Sequence, residues 1–387
     1  MARYPIKDQV AIVGVGTTPY MRDRGRSNLA MAIEASKNAL LDSGMKASDI
    51  DGVAGSQIMA HQVAPTLGIP RLRWWANVQI PFTQQVLEAM HAIYSGACET
   101  VLAFHSTYRS TGTSRSAAGD PFRSRSGPGM NILEPNPDSI ANVTGYAAWA
   151  SRYIYEYNAK REDFGLAAIN SRSNASLNEH AVLRHHMSMD DYLAGRMIRD
   201  PLCIYDMDYP VDGADAVIIT TAERAKDLPG KPVLIHAATL GMPNHPEEEQ
   251  MESITKTGQQ VVMDALWERS DLKLNDMDLF YPYDGFTIIT LRWIESVGYC
   301  GNGEAGDFMR ENWDTETDRL QLNGSVLVNT HGGSLSDGGT QGSGHIREAV
   351  LQLRGAAGSH QAPESKTALV VTGGFFFNAG GLILRTE

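Results

Sequence analysis

Asn329-Thr-His-Gly-Gly-Ser-Leu-Ser-Asp-Gly-Gly-Thr-Gln-Gly-Ser-Gly-His345 carries more structural information than any other part of this chain. Six of its seventeen residues are glycine. The apolar run Ser325-Val-Leu-Val328 before it reads as a strand, and Ile346 to Leu353 after it reads as a helix. Glycine lets backbone amides approach a ligand closely, and a loop entering a helix N-terminus gathers unpaired N–H groups. Such a loop suits a developing oxyanion or a phosphate. A flexible linker is the competing reading, but linkers seldom join two buried apolar elements.

Working outward, the chain alternates strand and helix signals. Val10-Ala-Ile-Val-Gly-Val15 is a short, β-branched strand, and Ser27 can cap a helix that runs through Leu41 and stops at Gly44. Asp51-Gly-Val-Ala predicts a second strand, Phe82 to Tyr94 a helix, and Thr100-Val-Leu-Ala-Phe104 a third strand. This alternation is the mark of a parallel sheet covered by helices. Beyond residue 230 the pattern returns, with a strand at Pro232-Val-Leu-Ile-His-Ala and a helix from Gly258 to Trp267. Ala265-Leu-Trp-Glu then Asp276-Met-Asp-Leu echoes Ala39-Leu-Leu-Asp then Asp49-Ile-Asp-Gly, and Glu348–Gly355 then Thr367–Val371 echoes Glu88–Gly96 then Thr100–Ala103. Two halves in one order imply an internal duplication, with boundaries at 1–229 and 230–387. Residues 105–210 are an insertion in the first half. It is Ser-, Gly- and Arg-rich to Pro137, then helical over Val143–Tyr157 and Glu162–His180, with a capping box at Ser188-Met-Asp-Asp191.

The 387 residues are 42% hydrophobic, and 45 acidic against 33 basic side chains give a net charge of −12. That balance argues against general nucleic-acid binding, which depends on neutralising phosphates. No run approaches a membrane span and no apolar signal core opens the chain, so a cytoplasmic protein is expected. Cys98, Cys203 and Cys300 are too far apart for a disulfide framework or a zinc site. Val13-Gly-Val-Gly-Thr-Thr-Pro-Tyr20 begins like a dinucleotide fingerprint, but its third glycine is absent and Pro19 obstructs a helix there.

The glycine stretch resembles the C-terminal active-site loop of thiolases, in which Asn-x-x-Gly-Gly leads to a Gly-His-Pro turn. Asn329, Gly332 and Gly333 match, while Gly338-Gly339-Thr340 stands where the catalytic His would be. The resemblance implies an α/β, thiolase-like fold of two similar halves in an αβαβα layering. It places the nucleophilic Cys near Gln79 and the second Cys in the terminal turn Gly373-Gly374-Phe375, and neither position holds a thiol. Tyr281-Pro-Tyr-Asp-Gly-Phe286 corresponds to the superfamily's His-Asp-x-Phe motif, with Asp284 and Phe286 kept and Tyr283 in place of His.

A thiolase frame without thiols cannot form an acyl-enzyme, whereas retro-aldol cleavage of a β-hydroxyacyl-CoA never needs one. The profile is similar to the steroid side-chain aldolases among the sterol-carrier and lipid-transfer thiolase-like proteins. That similarity implies catalysis by Tyr283 and a second tyrosine at the position occupied here by Gly339. It further implies a homodimeric core and a small OB-fold, zinc-ribbon subunit completing a heterotetramer, with no cofactor beyond the CoA of the substrate and zinc only in the partner. Asp284, Gly332, Gly333, Gly339, Gly373, Gly374 and Phe375 are expected to line the substrate. His331 and Asp337 are further candidates, with a packing role open for His331 and a capping role open for Asp337. Arg109, Arg115, Arg123 and Arg125 either meet CoA phosphates or sit on a solvated loop. An atypical acyltransferase and a non-catalytic acyl-CoA or lipid-binding scaffold are the alternatives.

Overall fold

The structure is a computed structural model that describes residues 4–22, 25–78, 81–109, 143–244, 252–374 and 378–387. The first part of the chain runs β1 (Val10–Thr17), α1 (Asn28–Ser43), β2 (Gly52–Ser56), α2 (Ala60–Leu67), β3 (Trp74–Asn77), α3 (Phe82–Tyr94) and β4 (Thr100–Tyr108). The middle holds α4 (Val143–Tyr157), α5 (Arg161–Leu177), α6 (Met189–Leu193), the small hairpin β5 (Met197–Arg199) and β6 (Leu202–Cys203), then β7 (Asp212–Thr221) and α7 (Ala222–Ala225). Next come β8 (Val233–Gly241), α8 (Gly258–Arg269), β9 (Leu279–Pro282), α9 (Thr287–Val297), α10 (Ala305–Glu311), β10 (Trp313–Asp314) and β11 (Arg319–Leu322). The chain ends with β12 (Val326–Val328), α11 (Gly333–Ser336), α12 (Ser343–Arg354), β13 (Thr367–Thr372) and β14 (Ala379–Arg385).

Two five-stranded sets make up the body, ordered β3-β2-β4-β7-β1 and β12-β9-β13-β14-β8. Ranked by chain position, both read 3-2-4-5-1. A short antiparallel contact between β1 and β8 joins them edge to edge, with Ala11 opposite Leu234 and Ile12 opposite Val233. Apolar side chains fill three cores. One lies on the outer face of the first set under α1, with Met31, Ala35 and Ala39 against Val13 and Ile218. The central core sets Phe82, Val86 and Met90 of α3 and Ile346, Val350 and Leu353 of α12 between strands of both sets. The third packs α8, α9 and α5 on the far face of the second set. Helix, sheet, helix pair, sheet and helix therefore alternate, and the αβαβα layering is present.

Local signals account for most boundaries. Ser27 Oγ accepts from the Ala30 N–H, and α1 stops at Gly44, which adopts φ 70°. Ser188 and Asp191 form the reciprocal cap that opens α6. Three features depart from expectation. β4 continues to Tyr108 because residues from Thr100 onward pair along β7 down to Asp212, so His105–Tyr108 is strand and not loop. The helix α2 and edge strand β3 carry no clear periodicity, and Pro65 sits inside α2. Finally, the glycine stretch is not one loop: Gly333 opens a helical turn, and α12 begins at Ser343.

Candidate active site

β9 and β13 run parallel, Leu279–Pro282 beside Ala368–Val371, and the chain leaving both at their C-terminal ends converges with the glycine stretch and the start of α3. Such strand ends are where α/β sheets usually place chemistry. The Tyr283 N–H donates to the Val371 carbonyl at 2.8 Å, and the Phe82 N–H to the Gln341 carbonyl at 3.2 Å. Thr83 of α3 and Thr372 of β13 are hydrogen-bonded through their hydroxyls. The Trp293 indole donates to the Gly373 carbonyl at 3.1 Å, and the Gly374 N–H to Asn378 Oδ1 at 3.0 Å. Gln79, Phe375 and Arg115, Arg123 and Arg125 lie outside the described residues.

Tyr283 is buried, and its ring folds back over Gly285 so that a side chain there would come within 2.5 Å of Cε1. Arg109 is the cation beside it. Its guanidinium makes a two-pronged pair with Asp208, at 2.5 and 3.0 Å, and reaches the Gly339 carbonyl at 3.3 Å. The Asp208 N–H in turn donates to the Gly285 carbonyl at 3.0 Å. Burial works against the charge on Arg109, but Asp208, and after it Tyr283, more than restore it. Arg109 is thus neither on a solvated loop nor left over for a phosphate. Gly339 leaves room for this pair, since a side chain there would meet Asp208 and Arg109 at 2.2 and 2.5 Å.

Asp284 takes the place of a ligand anion at the first turn of α11. It accepts from the Ser334 N–H at 2.6 Å, the Leu335 N–H at 3.3 Å and the Ser171 hydroxyl at 3.1 Å. Gly333 is required here: it adopts φ 60°, and a Cβ would lie 1.9 Å from Asp284 Oδ2. Gly332, at φ 102°, is pressed against Ala175 of α5. These amides therefore serve the protein's own carboxylate, contrary to the reading of the double glycine as a site for a substrate oxyanion. The fourth partner of Asp284 is His345, whose Nε2 lies 3.0 Å from Oδ1. His345 is buried, with its ring centroid 5.8 Å from Tyr283 and 4.8 Å from His331.

His331 is also fully enclosed. Burial, and then His345, push its imidazole down to about 4, so it is neutral near pH 7, and its Nδ1 has no hydrogen-bond partner among the described residues. Asp337 is read differently from the sequence. Its side chain caps no turn; it joins a buried charge cluster beneath the loop. Arg347 donates to it at 2.7 Å, Asn178 at 3.1 Å, and His180 Nδ1 lies 3.0 Å away. Arg347 also donates to Asp215 at 3.1 Å and to the Tyr20 hydroxyl at 2.8 Å, with its guanidinium over the Tyr20 ring. Burial opposes the charge on Asp337, but Arg347 and His180 outweigh it and hold the carboxyl well below the usual range. A group so firmly ionised is a poor proton carrier.

The three cysteines lie elsewhere. Cys98 packs under β2, where a side chain at Gly52 would touch its sulfur. Burial first, and then Asp51, Asp206 and Glu304 respectively, push the thiols of Cys98, Cys203 and Cys300 up to about 12, 11 and 12. Among the described residues no group of three or more His, Cys, Asp or Glu side chains is placed to hold a metal ion.

Residues 242–386 match the family model for the thiolase C-terminal domain-like fold. The steroid side-chain-cleaving aldolase of Thermomonospora curvata is 31% identical over 97% of this chain and 98% of its own length. The chain belongs to this thiolase-like aldolase family. Within it, the 17-hydroxy-3-oxo-4-pregnene-20-carboxyl-CoA lyase of Mycobacterium tuberculosis is 30% identical over 98% of this chain and all of that protein. The solved Ltp2-ChsH2(DUF35) aldolase superposes with a TM-score of 0.85 and 28% identity, covering 98% of both chains. Of the buried polar residues described above, Tyr283 and Asp284 stand out in the sequence, whereas His345, Arg347, Asp215 and Tyr20 do not. His345 closes the quoted stretch and could have been found as its one unassigned titratable group.

Proposed function

We propose that this family member is a carbon–carbon lyase that cleaves a β-hydroxyacyl-CoA by a retro-aldol reaction, on a substrate of the steroid side-chain class. One observation carries the reading: the residue at the end of β9 is Tyr283, enclosed beside the Arg109 cation, in a site without a cysteine. Retro-aldol cleavage needs a base for the β-hydroxyl, stabilisation of the thioester enolate and an acid for the product carbon. A phenol is protonated near pH 7 and suits the acid role, and the nearby guanidinium favours the phenolate left behind. An acyltransferase would need a nucleophile that the three cysteines, distant and held protonated, do not supply.

The test is to incubate the purified chain with β-hydroxyacyl-CoA thioesters bearing steroid or simpler branched side chains, and to follow the shortened acyl-CoA and the carbonyl product together. Coupled appearance of both supports the lyase; binding without turnover would leave a CoA-binding scaffold in its place.

The similar solved structure is a complex with a second protein. A small OB-fold, zinc-ribbon subunit is the partner proposed here, with zinc confined to it and no further cofactor in this chain. The homodimer is assigned to β3. This strand ends the sheet, and Trp75 on it is 56% exposed, so a second copy can continue the ladder. No described helix is long and apolar enough to cross a membrane, and a cytoplasmic setting accords with an enzyme of CoA thioesters.

A further inference from the structure

Retro-aldol cleavage needs two proton-transfer groups, and Tyr283 is only one. At Gly339, where the thiolase resemblance implies a second tyrosine, there is no side chain, and the Arg109–Asp208 pair fills the space beside it. Six residues further along the same stretch, His345 projects from the start of α12. It is 1% exposed, its Nε2 lies 3.0 Å from Asp284, and its ring centroid is 5.8 Å from Tyr283. Asp284 already accepts from two backbone amides and a hydroxyl, so it is the acceptor on this side too. Nε2 is then the donor, and the lone pair rests on Nδ1. Among the described residues the bond to Asp284 is the only one the His345 ring makes.

We propose, on the retro-aldol reading above, that His345 oriented by Asp284 is the base that accepts the β-hydroxyl proton of the substrate while Tyr283 protonates the α-carbon. The hydroxyl proton passes to Nδ1 and the Cα–Cβ electron pair moves onto the α-carbon and thioester oxygen. The β-carbon becomes a carbonyl, and the Tyr283 hydroxyl delivers its proton to the α-carbon of the enolate. The imidazolium, facing Asp284, then returns its proton to the phenolate, and no net proton is gained or lost. An Asp behind a His fixes the tautomer and stabilises the cation that forms, which is the established use of such a pair.

His345→Gln tests the assignment, because Gln can keep a donor to Asp284 while removing the base. Expected is a fall in kcat of roughly 10²–10⁴-fold with unchanged thermal midpoint and substrate binding. The acid limb of the kcat/KM profile should vanish with it. The groups that also face His345 are Tyr283 and Asp284 after β9 and His331 after β12. Asp284→Asn should therefore be run beside it and should move the acid limb, since the imidazolium loses its counter-charge. A structural clamp would leave the limb in place in both variants, and that result overturns the proposal. Exchange of the product acyl-CoA α-proton in D₂O follows the reverse path, in which His345 must take the Tyr283 proton before the phenolate can remove the α-proton. Both His345→Gln and Tyr283→Phe should therefore lose exchange, and exchange retained in His345→Gln counts against the base role. A wild-type protein with neither cleavage nor exchange would sink the retro-aldol reading and this one together. Full cleavage by His345→Gln with an unchanged profile would sink only the role of His345.

Discussion

The Tyr283 hydroxyl lies over the α-carbon of Gly285, where the first atom of any side chain would sit 2.7 Å from it. Gly285 has an ordinary negative-φ or extended backbone, so space and not backbone freedom demands glycine there. Gly285→Ala should displace the phenol. Turnover should fall by roughly two orders of magnitude while the thermal midpoint changes little. Tyr283→Phe keeps the ring and loses only the hydroxyl, so it should cost a similar factor in kcat with binding and fold retained. Loss of stability equal to loss of turnover would mark the hydroxyl as a buried structural bond.

Arg109 should be visible in the ionisation of Tyr283. Removing a cation disfavours the anion beside it, so Arg109→Gln should raise the pH at which the phenolate appears. Difference absorbance of tyrosinate, with Tyr283→Phe as the background, measures this without any substrate. Asp208→Asn, which frees the guanidinium, should shift it less. An unmoved titration in Arg109→Gln would place the cation too far away to matter.

Among the described residues Arg347 is the only guanidinium shared by Asp337 and Asp215, all three of them buried. Arg347→Met leaves two enclosed carboxylates without their cation and should cost roughly 3–5 kcal/mol in urea unfolding. Asp337→Asn, which retains hydrogen-bonding capacity toward Arg347, should cost less. If the two variants unfold at the same urea concentration, the cluster does not behave as one unit.

Acid stability should reflect His331 and Glu348. His331 titrates at about 4 when folded against the usual 6.5, so in the unfolded chain it binds a proton first. Stability from this group is complete above pH 6.5, falls as pH drops from there to about 4, and levels off below. The loss is roughly 3 kcal/mol. Glu348, held down to about 2 by His360 and His331 against burial, adds a second loss between its ordinary 4.5 and about 2. His331→Asn should flatten the first window and narrow the second, as read by chemical denaturation from pH 7 to pH 2.

Iodoacetamide should leave activity intact at pH 7 to 8. The thiolate is the reactive form, and all three thiols are held protonated well above that range. Inactivation in step with alkylation of Cys98 or Cys300 would return a thiol to the mechanism.

The strands and the longer helices were legible because their apolar residues recur at fixed spacing, and Tyr283 was legible because it interrupts a short motif. α2 and β3 were not, because His61, Gln62 and Pro65 blur the first and Trp74-Trp-Ala-Asn77 is too short to show a period. The charge cluster was invisible for a different reason. Tyr20, His180, Asp215 and the Asp337–Arg347 segment come from far-separated stretches of the sequence, and only the folded sheet order brings them together. His345 sat in plain view, yet nothing in its spacing announced Asp284 as its partner.

The last strand, β14, does not lie at an edge: it fills the slot between β13 and β8. A chain being synthesised must therefore hold that slot open until residues 379–385 are free to enter it. Until then β8 and β13 present bare edges to any strand that will pair with them. The first sheet can assemble from earlier residues, but the second closes only once β14 is in place. Between the two events lies the period in which this protein most needs protection from its own copies.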